Sequence, residues 1–177
     1  MEYLLKNGKN VVLRKPQPED AEGIIHVMSI ADTETLFLAR NPGEFSTPVE
    51  REREIITNSL NDNDVEWFVA VYEGKVIGQC SVGLVRRNAR YCHRAEVAFV
   101  ILKDYWNLGI GGKMMEECIQ WCKDKGVTQI ELDVVKDNDR AIKMYRDFGF
   151  EITGTIPKAL HYQDGTYADE YTMIKNI

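Results

Sequence analysis

Gly109, Gly111 and Gly112 crowd into the run Gly109-Ile110-Gly111-Gly112, between Asn107 and Lys113. Glycines this dense are costly to order, which argues for a use. The run follows an apolar stretch and opens a segment with apolar residues at Ile110, Met114, Cys118, Trp121 and Cys122, a helical spacing. The first amides of a helix have no partner within it and carry the positive end of its dipole, so they suit phosphate oxygens. The alternative use is close packing of the helix start on a sheet. Two nucleotide signatures fail here. Gly112-Lys113 matches the end of a P-loop, but Asn107 occupies its first glycine position and Met114 the position of the magnesium-binding hydroxyl. The dinucleotide fingerprint G-x-G-x-x-G begins at Gly109 and Gly111 and breaks at Met114.

The elements that position this turn are legible on both sides. Val11-Val12-Leu13 begins a short strand. Pro18, Glu19 and Asp20 open a helix to about Ala31, because proline and acids suit a first turn. Thr47-Pro48-Val49-Glu50 reads as a capping box that starts a helix to about Leu60. Trp67–Tyr72 and Val76–Val85, joined through Glu73-Gly74-Lys75, form a hairpin. Ala95–Leu102 is apolar apart from Glu96, the pattern of a strand buried on both faces. The glycine helix runs to Lys125, with Gly126 after its end. A strand Ile130–Val135, a helix Asn138–Phe148, and strands around Phe150–Ile156 and Tyr167–Ile174 complete the chain. The expected fold is α/β, layered: one mixed, mostly antiparallel sheet of about six to seven strands with about four helices, in a single domain over 1–177.

Composition narrows the class. The 177 residues are 44% hydrophobic and 28% charged, as in soluble globular proteins. Acids outnumber bases 28 to 22 with no basic stripe, which argues against nucleic acid and mildly favours cationic ligands. Arg86, Arg87, Arg90 and Arg94 read as loop charges. No apolar run reaches the roughly 20 residues needed to cross a bilayer, and Met1–Asn10 does not read as a signal peptide. Cys80, Cys92, Cys118 and Cys122 form no C-x-x-C pair; unpaired thiols without an export signal point to the cytoplasm. His26, His93 and His161 lack ligand spacing, so no metal is assigned.

Gly109 and Gly111 also fit a third signature: Gln or Arg, two residues, Gly, one residue, then Gly or Ala. That is the cofactor signature of the GNAT superfamily of N-acetyltransferases, with Trp106 standing where Gln or Arg is typical. The chain resembles that superfamily over almost its whole length. Leu13-Arg14 with Pro18–Ala21 is similar to its first strand and helix, and Arg94–Ile101 to its fourth strand. Asn138, Ala141, Met144-Tyr145 and Phe148-Gly149-Phe150 are similar to its late helix and the strand after it. Tyr105-Trp106 resembles the ribosomal-protein-type branch.

The resemblance implies direct attack by an amine on the thioester of acetyl-CoA. Backbone donors around Val100 and Ile101 would take the pantetheine arm, with contact ending at Leu102. The turn Asn107, Leu108, Gly109, Ile110, Gly111, Gly112 would hold the pyrophosphate. Lys113 either approaches a phosphate or is solvated, and Asn138 either bonds the cofactor or caps its helix. Glu96 would be the base, its pKa raised by burial, or else a structural carboxylate paired with Arg94 or a helix N-terminus. Tyr145 would donate to the leaving thiolate, or serve as a core aromatic with Ala141 and Phe148. The acceptor, a small-molecule amine or a protein N-terminus, would lie between Asp32–Phe45 and Leu160–Tyr171. Homodimerisation through the late strands is a further implication. A binding module that holds CoA without turnover is the competing reading.

Overall fold

The computed structural model describes residues 1–177. Its strands are β1 (Glu2–Leu4), β2 (Asn10–Arg14), β3 (Val65–Tyr72), β4 (Lys75–Leu84), β5 (Arg94–Ile101), β6 (Gln129–Val135), β7 (Glu151–His161) and β8 (Tyr167–Asn176). Its helices are α1 (Ala21–Glu34), α2 (Val49–Ser59), α3 (Ile110–Asp124) and α4 (Asp139–Asp147). The strands make one eight-stranded sheet, ordered β1-β2-β3-β4-β5-β6-β8-β7. The strand beyond the expected count is β1, three residues whose pairing partner is β2.

All neighbours are antiparallel except β5 and β6. Their parallel pairing covers Arg94–Glu96 against Gln129–Glu131 and then stops. Both strands continue, β5 on β4 and β6 on β8, so a gap opens between them beyond Glu96 and Glu131.

Helices cover the two faces unequally. The helical stripe of α3 buries Ile110, Met114, Cys118, Trp121 and Cys122 in a core shared with α4 and most strands. Cys80 joins it, its sulfur 3.8 Å from that of Cys118, so these thiols act as core residues. On the other face, α1 and α2 bury Ala21, Ile24, Met28 and Ile56 against Val69. They leave β5, β6 and β8 partly bare. The buried-on-both-faces expectation for β5 therefore fails: Ala95 and Val97 are buried, while Glu96 and Ala98 are exposed.

Two helix starts also differ. A single 3-10 turn, Pro18–Asp20, precedes α1. No side chain caps α2, because Pro48 takes the cap position in an extended conformation and Glu50 pairs with Arg53 instead of closing a capping box. Among the loop arginines, Arg87 pairs with Asp62 and Asp64.

Candidate active site

The turn before α3 is shaped by backbone. Asn107 and Gly109 have φ of 64° and 96°, a left-handed region in which glycine is unstrained. No side chain caps α3, and no acid stands in its first turn. The amides of Ile110, Gly111 and Gly112 therefore face a cavity without a protein acceptor. Gly111 has a packing reason as well: a Cβ there would lie 2.9 Å from the Met144 sulfur of α4.

That cavity holds about 700 Å³ and runs along the β5–β6 gap. Val100, Ile101, Asn107, Gly109, Ile110, Gly111, Gly112, Asn138 and Tyr145 all line it. The Leu102 amide donates to the Ile77 carbonyl at 3.0 Å. Alternation along an antiparallel strand then turns the Val100 amide toward β4 as well, and the amides of Phe99 and Ile101 toward the gap.

Three of the expected cofactor-binding residues lie outside the lining, as does Glu96. Leu102 has its amide committed to β4, and Leu108 packs on the core while its carbonyl accepts from the Lys6 amide. Lys113 is held by Glu116 at 2.8 Å and lies over the Tyr3 ring.

Asn138 caps α4 by accepting from the Ala141 amide at 3.3 Å, and it also lines the cavity. Tyr145 is 8% exposed and packs on Phe99 and Phe150. Its hydroxyl has no protein partner, yet no buried side-chain polar atom in the chain is orphaned, so that hydroxyl must open onto the cavity. Burial, with a minor contribution from Cys118 and opposed by Arg140, pushes its pKa up to about 12.

Glu96 sits at the neck where β5 and β6 part. Arg94 pairs with Glu131, not with Glu96. Glu96 lines a second cleft of about 490 Å³ with Ser81, Glu131 and Thr172. This cleft and the larger cavity share Val97, Ala98 and Asp133, so they meet at the neck. The sequence reading passed over Asp133, although Glu131 and Asp133 alternate with apolar residues on β6 and so mark its open face. Asp133 accepts from the Thr172 hydroxyl at 2.7 Å. Nearby, Glu170 has its pKa raised by burial and then by the charge of Asp133.

Charge is sorted within the cavity. Lys6 and Arg140 flank the turn; Asp133 and Glu170 occupy the β6–β8 side. The segments expected to flank an acceptor also meet, since the Tyr162 hydroxyl donates to the Leu36 carbonyl. Asp32 is buried and paired with Arg40 at 3.0 Å. No group of three or more His, Cys, Asp or Glu is placed to hold a metal, and no helix is long and apolar enough to cross a membrane.

Comparison with known proteins agrees with this arrangement. Residues 30–150 match the acetyltransferase (GNAT) family. The L-amino acid N-acetyltransferase AaaT of Escherichia coli (strain K12) is 34% identical over 112 residues, 63% of this chain and 68% of that protein. The crystal structure of an acetyltransferase of the GNAT family from Streptococcus pneumoniae superposes with a TM-score of 0.88 at 25% identity, covering 94% of this chain and 99% of that one. A ribosomal-protein-alanine N-acetyltransferase from Brucella melitensis shares the fold, with a TM-score of 0.81 at 23% identity over 94% and 99% of the two chains. The glycine turn, the parted strands and the matched residues together place this chain in the acetyltransferase (GNAT) family.

Proposed function

We propose that this protein transfers an acetyl group from acetyl-CoA to a primary amine by direct attack in a ternary complex. The observation that carries the reading is the β5–β6 gap, with uncapped helix amides near one end and the unpartnered hydroxyl of a largely buried tyrosine opening onto it. The residues fit that cosubstrate. Phosphates suit the amides of Ile110, Gly111 and Gly112. A peptide-like arm suits the gap-facing amides of Phe99 and Ile101, in the manner of an added strand.

Bound acetyl-CoA supplies a thioester at whose carbonyl carbon the C–N bond to the amine forms and the C–S bond breaks, releasing a thiolate. Glu96 takes the proton of the amine through water at the neck. An aliphatic ammonium with a pKa near 10.4 needs such an acceptor at neutral pH. The Tyr145 hydroxyl meets the developing thiolate. With the phenol at about 12 and a thiol near 8.5, full proton transfer is uphill by about 5 kcal/mol, so Tyr145 acts by donating a hydrogen bond.

The acceptor reaches the neck between the loop after α1 and the β7–β8 hairpin, where Asp133 and Glu170 favour a cationic amine. The classes in play are amino acids, polyamines, antibiotic-like amines and protein N-termini. The proposal includes a cytoplasmic location and a homodimer formed through the late strands. Thiol release from acetyl-CoA across an amine panel tests the activity. CoA binding with no turnover on any amine would make the protein a binding module, and binding of NAD or ATP in place of CoA would sink the assignment.

A further inference from the structure

Trp106 stands at the mouth of the gap, and two contacts fix it. Its indole N–H donates to the Ile101 carbonyl at 2.6 Å, which anchors the ring to the end of β5. The Arg140 guanidinium lies over the ring, its Cζ 3.2 Å from the centroid. Arg140 belongs to the first turn of α4, beyond the gap from β5, so the stack bridges the two lips of the cavity.

Arg140 and Lys6 are the cations lining this cavity that make no ion pair, and of the two Arg140 is the one held over a ring. Lys143 is neutralised by Asp147 and Lys113 by Glu116, whereas the ionisable neighbour Arg140 senses is the Tyr145 phenol, with no carboxylate pairing it. Stacking uses the face of a guanidinium and leaves the N–H donors at its edge free. It also immobilises a side chain that would otherwise lose rotamer entropy on binding a ligand. The result is a fixed, unneutralised fork of donors beside the uncapped amides of α3.

We propose that Arg140 binds the diphosphate of the cosubstrate and that Trp106 is the positioning residue that aims it. The inference rests on the reading of the cavity as an acetyl-CoA site. It also accounts for the residue at 106: where the family signature favours Gln or Arg on the turn, this chain brings its guanidinium from α4 and uses the turn position to stack it.

Calorimetric titration of the full chain with CoA, 3′-dephospho-CoA and pantetheine tests this. Arg140→Ala weakens CoA and dephospho-CoA by about tenfold or more and leaves pantetheine unchanged. Trp106→Leu weakens CoA comparably and adds little in the Arg140→Ala background. Trp106→Phe, which keeps a ring but loses the bond to Ile101, falls between. Arg140 is exposed, so its variants report even if Trp106→Leu folds poorly. Unchanged CoA affinity in Arg140→Ala, an equal loss for pantetheine, or additive losses in the double variant would overturn the proposal. A loss for CoA but none for dephospho-CoA would move Arg140 to the 3′-phosphate and end the diphosphate assignment. Wild-type protein that does not bind CoA would remove the acetyl-CoA reading itself, and this inference with it.

Discussion

The hydroxyl of Tyr162 donates to the backbone carbonyl of Leu36 at 2.9 Å, joining the β7–β8 hairpin to the loop after α1 across 126 residues of sequence. That loop supplies Phe37 and Leu38 to the cavity wall. Removing the hydroxyl frees both segments while leaving the glycine turn intact. Tyr162→Phe is expected to raise KM for the amine by about threefold to tenfold with little change in CoA affinity, since one hydrogen bond contributes about 1 kcal/mol. Steady-state kinetics beside a binding titration check this. Equal effects on amine and CoA would mean the bond does not shape the acceptor side.

Tyr145→Phe removes a donor needed only as the thiolate develops. Its kcat should fall by about tenfold to a hundredfold while CoA affinity holds. With its pKa at about 12, the phenol is protonated both folded and at any working pH. The wild-type pH–rate profile should therefore show no tyrosine limb below about pH 11, and Tyr145→Phe should lower the profile without moving its breaks. A break near pH 10 that vanishes in Tyr145→Phe would contradict the buried environment described here.

Glu96→Gln tests the base. As the base at the neck, Glu96 should contribute about a hundredfold to kcat/KM at neutral pH, and the variant should lose that factor. An unchanged rate and profile would pass the role to another carboxylate at the junction, with Asp133 and Glu170 the residues to replace next.

Gly78 of β4 faces the end of β5, where a Cβ would lie 2.8 Å from the Val100 carbonyl oxygen and 3.2 Å from the Ile101 Cα. These are backbone atoms, so β5 itself must move. Gly78→Ala should cost about 1–3 kcal/mol of stability and impair CoA binding, although Gly78 does not line the cavity. Gly154→Ala, with no atom within 4 Å of its added methyl, is the control for stability. Urea denaturation and titration read both effects.

Arg40 holds the buried Asp32 with two bonds of 3.0 Å. Arg40→Ala strands a carboxylate that is 2% exposed and should destabilise the fold by about 3 kcal/mol. The double variant Asp32→Leu, Arg40→Met should cost less than the single one, because no unpaired charge is left behind. A double variant that costs more in urea denaturation would show that the pair is itself a strong net stabiliser.

Sequence alone revealed what is local. The glycine turn is a run of neighbours, and Tyr145 falls on the apolar face of a helix by spacing. The exposure of Glu96 was beyond it, because it depends on how far α1 and α2, from an earlier part of the chain, extend over the sheet. β1 was missed for a similar reason: three residues become a strand only when β2 lies beside them. Trp106 shows both limits, since its hydrogen bond reaches back only to Ile101 but its stacking partner is Arg140, on the far side of α3 and β6.

β5 and β6 are the one parallel pair in the sheet, and a parallel pair obliges the chain to cross from one end of the sheet to the other. Helix α3 makes that crossing, so its first turn must begin where β5 ends. The five residues from Val97 to Ile101 then separate the neck from the glycine turn, roughly 16 Å at the usual rise of a strand. Connectivity thus builds a ruler into the molecule. A donor gripped by its phosphates presents its reactive carbon at the neck only when its arm spans that length. An analogue with the same phosphates and a shorter arm would fill the grip, fall short of Glu96, and inhibit by length alone.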